Sequence, residues 1–121
     1  MPTAQPDSWT HLPAPAQREP LDFQARYTAD EYSRLRQGNI PQDMDDKWFI
    51  YLHEGWLRLH RSWTGIWIYG LRLEQDGDAW TITESWVNRD PEQYRITDAE
   101  RDREILEGLL ARLLTQPETR P

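Results

Sequence analysis

Between Lys47 and Asn88 apolar and polar residues alternate with a period of two; outside that stretch the pattern changes. The segments KWFIYLH, WLRLHRS, IWIYGLRLE and AWTITESWVN each read as a strand with one apolar and one mixed face. Their connections are short. Glu54–Gly55 is a two-residue turn, Asp76–Gly77 carries a type I′ signal, and W-T-G ending at Gly65 suits a three-residue loop. Parallel neighbours would need crossovers of about a dozen residues, so four strands in an antiparallel meander are predicted.

These turns also predict the register. Trp48 is placed opposite Arg61, Arg61 opposite Trp67, and Trp67 opposite Trp86. The next row is Ile50, Leu59, Tyr69 and Glu84. One face then holds Trp48, Ile50, Leu52, Leu57, Leu59, Trp67, Tyr69, Leu71, Leu73, Trp80, Ile82 and Trp86, a core face. The other holds Phe49, Tyr51, His53, Trp56, Arg58, His60, Ile66, Ile68, Arg72, Thr81, Thr83 and Ser85, a mixed and half-wet face.

On either side of the meander the period becomes helical. ITDAERDREILEGLLARLL begins with a capping box at Thr97 and Glu100. It carries Ile105, Leu106, Leu109, Leu110, Leu113 and Leu114 in one broad stripe. A helix of about 17 residues is roughly 25 Å long, enough to cover the core face. Upstream, YTADEYSRLRQGN has a capping box at Thr28 and Glu31 and a stop at Gly38, predicting a short helix over 29–37. That helix is expected at an edge of the sheet or on its second face. The expected fold is α+β: a four-stranded antiparallel meander, a long C-terminal helix packed on one face, and a short N-terminal helix. Residues 1–20 hold five prolines and no apolar period, and read as a flexible arm. Residues 21–115 read as one domain, and 116–121 as a frayed tail.

Composition narrows the function classes. A chain of 121 residues builds one core. It has no cysteine, which removes disulfide scaffolds and thiolate metal sites. A formal charge of −7 argues against a general nucleic-acid binder and for a basic partner. No stretch reaches the ~20 apolar residues of a membrane span, and the first residues lack the pattern of a secretory leader, so a cytoplasmic location is expected. The seven tryptophans are the unusual feature, five of them between Trp48 and Trp80. Tryptophan serves most often as core, and otherwise as an anchor at a binding surface.

The polar exceptions on the predicted core face raise the question of a site. Arg61, Tyr69 and Glu84 fall in two adjacent rows, and Asp102 projects from the apolar stripe one turn before Leu106. The fourth strand ends there, so the helix N-terminus is expected nearby. One reading is structural: Arg61 paired with Glu84 or Asp102 under indole rings, because a buried guanidinium needs partners. The other is a pocket in which Trp48, Trp67 and Trp86 clamp a flat ring, Arg61 takes a phosphate or carboxylate, and Glu84 or Asp102 holds a hydroxyl or acts as a base.

Other motifs carry less. His53 and His60 share a face about 13 Å apart, too far for one metal ion. Asp43, Asp45 and Glu54 match calcium-loop positions, but Trp48 stands where that loop needs glycine. The acids Asp43, Asp45 and Asp46 read as a solvated run. Ser62 has no base placed to activate it, and no phosphate-cradling glycine loop exists. Trp63, at the hairpin tip, is either an exposed anchor or folded onto Trp48.

The runs DDKWFIY and HRSWTG, within roughly residues 43–88, resemble a group of short bacterial domains carrying W-F/C-I-Y…H-R-S-W-T-G. Such segments occur as small stand-alone proteins or beside ADP-ribose-handling macrodomains. The resemblance implies that the hairpin is a signature and that the context is nucleotide-related. It supplies no catalytic residues.

The expectation is a non-catalytic cytoplasmic binding or accessory module without a cofactor. It would use the aromatic face with Tyr51, Trp56, Arg58, His60 and Trp63 for a protein partner or a homodimer. The alternatives are a nucleotide-like or ADP-ribose-like ligand at Arg61 and the three tryptophans, and an acidic inhibitor of a basic partner.

Overall fold

A computed structural model describes residues 3–5, 8–9, 11–41, 46–95 and 98–115. In chain order the elements are β1 (Arg18–Pro20), β2 (Arg26–Thr28), α1 (Ala29–Gln37), β3 (Trp48–His53), β4 (Trp56–Arg61), β5 (Trp67–Asp76), β6 (Ala79–Asn88) and α2 (Ala99–Thr115). The fold is α+β, with β3–β6 forming the expected antiparallel meander. The sheet has six strands instead of four. β1 and β2 pair side by side with β6, antiparallel, along the edge away from β4. Both are three residues long, too short to alternate, and Pro20 is tolerated because β1 lies at an edge.

Two bulges set the faces differently from the simple register. β3 and β4 pair as expected, with Trp48 opposite Arg61 across the Glu54–Gly55 turn. In the β4–β5 pair, Leu59 opposes Tyr69 but the next residue, His60, opposes Trp67. Ile68 is therefore the extra residue: it turns into the core, and Trp67 turns to the opposite face. The β5–β6 hairpin turns at Gly77–Asp78 instead of Asp76–Gly77, with Asp76 opposite Ala79. A second bulge follows, because Arg72 opposes Glu84 while Leu73 opposes Ile82. Thr83 is the extra residue there. Ser85 and Val87 turn inward, and Glu84 and Trp86 turn outward.

The main core lies under the inner face. Leu57, Leu59, Ile68, Tyr69, Leu71 and Val87 of the sheet pack with Leu106, Leu109, Leu110 and Leu113 of α2. α1 also lies on this side, against α2, and not on the second face: Leu35 is buried in the same core and Tyr32 stacks on Trp80 at 3.7 Å. Its capping box is formed, with Thr28 Oγ1 accepting from Glu31 N at 3.1 Å and Glu31 Oε1 accepting from Thr28 N at 2.9 Å. It ends at Gly38 with φ 67°, where a Cβ would strike the Ile50 carbonyl. At the start of α2, Asp98 Oδ1 caps Glu100 N at 3.0 Å. Thr97, read as the cap, lies outside the described residues, as do Asp43, Asp45 and residues 116–121.

A smaller cluster sits on the outer face: Phe49, Tyr51, Ala4 and Ile40. Described parts of the segment read as a free arm lie on the domain. Ala4 N donates to Gln37 O at 2.8 Å, and Leu12 N donates to Gly65 O at 2.8 Å. Trp9 Nε1 donates to Ser62 O at 2.8 Å. No helix among the described residues is long and apolar enough to cross a membrane.

Candidate functional site

Two polar and aromatic constellations lie on opposite faces of the sheet. On the inner face, Asp102 is fully buried in the first turn of α2. Its Oδ1 accepts from Tyr94 Oη at 2.6 Å and from Tyr69 Oη at 3.0 Å, and the two hydroxyls lie 2.8 Å apart. Its Oδ2 pairs with Arg89 Nη2 at 2.8 Å, and Arg89 Nε donates to Glu19 Oε2 at 2.6 Å. The residues that deliver Arg89 and Tyr94 form a compact polar turn after β6. There Asn88 Oδ1 accepts from Asp90 N, and Asp90 Oδ1 accepts from Glu92 N. Asn88 Nδ2 ties the turn to Trp67 O at 3.0 Å.

A buried carboxylate is tolerable only when cation and donors surround it. Burial comes first for both tyrosines; the hydrogen bond from Tyr94 and the Asp102 charge then raise Tyr69, and the Asp102 hydrogen bond raises Tyr94 against the opposing bond to Tyr69, so both lie well above the ordinary phenol range. Burial weakens the Arg89 charge, but hydrogen bonds to Glu19 and Asp102 outweigh it and raise its pKa. The hydroxyls therefore stay protonated near neutrality, and the constellation ties the β6–α2 connection to the sheet.

The outer face divides into a covered and an open part. In the covered corner, the His11 ring lies 5.3–6.2 Å from those of Phe49, Tyr51 and His60. His60 is fully buried, with Nδ1 3.0 Å from Gly65 O. Facing a carbonyl, Nδ1 is the donor, which leaves Nε2 a bare acceptor without a hydrogen-bond partner among the described residues. Burial, reinforced by the charges of His11 and Arg58 against the Gly65 hydrogen bond, lowers its pKa to about 4.

In the open part, cations and indoles alternate across the strands. Arg58 Cζ lies 4.9 Å from the Trp67 ring centroid and 5.8 Å from that of Tyr51. Trp67 and Trp86 are 4.9 Å apart, and Arg18 Cζ lies 5.4 Å from Trp86. Arg72 approaches Trp56 at 6.0 Å. Trp86 rests on Gly70, where a Cβ would come within 2.5 Å of the indole. Beside Trp86 a groove of about 660 Å³ lies between β6 and the chain that connects β1 to β2. Trp86, Phe23 and Ile82 line it with apolar surface, and Glu84, Asp22 and Arg18 with charge. Phe23 N donates to Ser85 Oγ at 2.8 Å, which pins this segment to β6.

The structure brings together only some of the residues read from sequence. Tyr69 and Asp102 meet as expected beside the start of α2, with Arg89 supplying the guanidinium assigned to Arg61. Arg61 is exposed, with Cζ 5.2 Å from the Trp48 ring, and among the described residues no ion pair joins it to Glu84 or Asp102. Trp48 stays on the inner side, stacked 5.9 Å from Tyr69. Trp67, Trp86 and Glu84 are on the other face, so Arg61 and the three tryptophans form no common pocket.

Of the expected interface residues, Tyr51 and His60 are buried, Trp56 and Arg58 half-buried, and Trp63 is 69 % exposed. Trp9 and Leu12, tied to the turn that carries Trp63, are also exposed. His53 is exposed and pairs with Glu54, apart from His60. Among the described residues no group of three or more His, Cys, Asp or Glu side chains could hold a metal ion.

Sequence reasoning missed Arg89, Tyr94, Arg18 and Asp22. The one usable signal was Asp102 itself, which demanded a cation; NRDPEQY, a polar turn at the strand end, was the place to seek it. Comparison of the chain with protein-family models, curated proteins and solved structures returned no match.

Proposed function

We propose that the chain is a small, non-catalytic binding module that docks a protein partner on the open part of the outer sheet face. The observation that carries this reading is the groove of about 660 Å³ beside the Arg58–Trp67–Trp86–Arg18 stack. Its volume lies in the range of ligand-binding clefts, and half-buried indoles flanked by arginines are typical anchors at protein interfaces. The inner constellation supports the reading by contrast: its tyrosines are held protonated and its ionic groups face one another. The exposed tip formed by Trp9, Leu12 and Trp63 is a second place where a partner would gain apolar contact.

Photocrosslinking in cells tests the reading. A photoreactive side chain replacing Thr83, exposed at the groove, is expected to give a discrete adduct. The same group replacing Glu104, exposed on α2, is expected to give none. No adduct at position 83, or equal adducts at both, would refute the outer-face assignment.

A further inference from the structure

The groove has a chemical bias that narrows its occupant. Half-buried Trp86 and the nearly buried Phe23 and Ile82 belong to its lining, together with the acidic residues Asp22 and Glu84 and with Glu19, whose carboxylate is turned to the inner network. Glu19 is engaged by Arg89 at 2.6 Å. Asp22 accepts a 3.3 Å hydrogen bond from Gln24, and among the described residues neither Asp22 nor Glu84 makes an ion pair. Arg72, opposite Glu84 in the sheet, turns to Glu74 at 3.7 Å instead. Asp22 is held at φ 54°, a left-handed conformation that an aspartate tolerates better than most residues.

A second observation points the same way. The groove already contains a guanidinium: Arg18 lies 5.4 Å from the Trp86 ring with no carboxylate partner among the described residues. The indole face therefore accepts a planar cation from the chain itself, by attraction to the ring quadrupole. Carboxylates beside an indole provide the two interactions an alkylguanidinium or alkylammonium group uses: a charged hydrogen bond for its head and apolar contact for its stem. The formal charge of −7 favours a cationic partner over an anionic one at encounter.

We infer that the groove between β6 and the β1–β2 connection is a cation subsite, which takes an arginine or lysine side chain of a basic segment on the protein partner. This rests on the outer-face reading above and adds the chemistry of the partner. Arg18 is then an internal competitor for the Trp86 face, displaced when the partner's side chain enters.

That competition makes the inference testable on the full chain. The probe is N-acetyl-Gly-Arg-Gly-amide, with N-acetyl-Gly-Glu-Gly-amide and AMP as anionic controls, followed by tryptophan fluorescence and calorimetry. The arginine peptide is expected to bind and the anions are not. Glu84→Gln should weaken binding roughly tenfold, the scale of one charged hydrogen bond. Arg18→Ala should tighten it several-fold. Arg95→Ala removes the same charge from an exposed position outside the groove lining and should change affinity far less. Equal effects of Arg18→Ala and Arg95→Ala would overturn the inference, because only bulk charge would then be at work.

Binding of AMP or the glutamate peptide that is lost in Arg18→Ala would also overturn it, while leaving the groove as a binding site. No binding by any probe, with the crosslink at position 83 still present, refutes the cation chemistry alone. Loss of that crosslink as well refutes the outer-face reading itself.

Discussion

The two faces of the sheet carry similar chemistry in opposite states. On the inner face a carboxylate, two phenols and a guanidinium are held by hydrogen bonds and an ion pair to one another under α2. On the outer face guanidinium groups lie on indoles, and an imidazole nitrogen is buried without a hydrogen-bond partner among the described residues. A polar group that has found all its partners inside the fold contributes to stability and specificity. A group left partly unmatched is the one a ligand can still reward. That difference is the ground on which we propose binding for the outer face, although both faces are rich in aromatic rings.

The sharpest break in the comparison is at Asp102. Asp102→Ala strips the inner network of its centre and leaves Arg89 and two tyrosines without their acceptor. A loss of about 3–5 kcal/mol is expected by urea denaturation. Glu84→Gln on the outer face should stay within about 0.5 kcal/mol. Equal costs at the two positions would erase the distinction between the faces.

The next effect concerns pH. His60 has its pKa lowered to about 4 in the fold, from an ordinary 6.5. Below 6.5 the unfolded chain takes up a proton that the folded chain refuses. Stability is therefore full above that value and falls as pH drops through the window from 6.5 to about 4. A loss of roughly 2–3 kcal/mol across the window is expected in denaturation series. His60→Phe should flatten this acid slope, even if it lowers the plateau. A slope that persists in the variant would assign the acid sensitivity elsewhere.

Smaller again is Gly70→Ala. The new Cβ would meet Trp86 at 2.5–2.8 Å, so the indole must move away from Trp67 and from its place in the groove lining. The expected cost is about 1–3 kcal/mol, with a changed tryptophan emission spectrum and weaker binding of the arginine peptide. Unchanged emission would show that Trp86 is not seated on Gly70.

Much of the fold was legible in the chain. Period-two alternation gave β3 to β6, and the Thr28–Glu31 pair and Gly38 marked α1. The leucine stripe with its one acid marked α2 and placed Asp102 inside. β1 and β2 were not legible, because three residues cannot show a period and the surrounding prolines argued against a strand. The candidate site was legible only in kind: an arginine, a tyrosine and an acid near the start of α2. The arginine was misassigned, because Arg61 shares its register with Trp48 but lies exposed at the sheet end.

What the sequence alone determined was the four strands of the meander, the two helices, the turns at Glu54–Gly55 and Gly65, and the expectation of an arginine–acid pair near the start of α2. These follow from local chemistry: side-chain alternation, capping groups, and the cost of a buried charge. What the tertiary structure decided was which face each residue joins beyond Leu59 and Arg72. One extra residue at Ile68 and another at Thr83 reverse the alternation of everything that follows along the pairing. A bulge is chosen by packing across strands and under a helix. No local pattern announces it, and it moved Trp67, Trp86 and Glu84 from the core to the surface that we assign to binding.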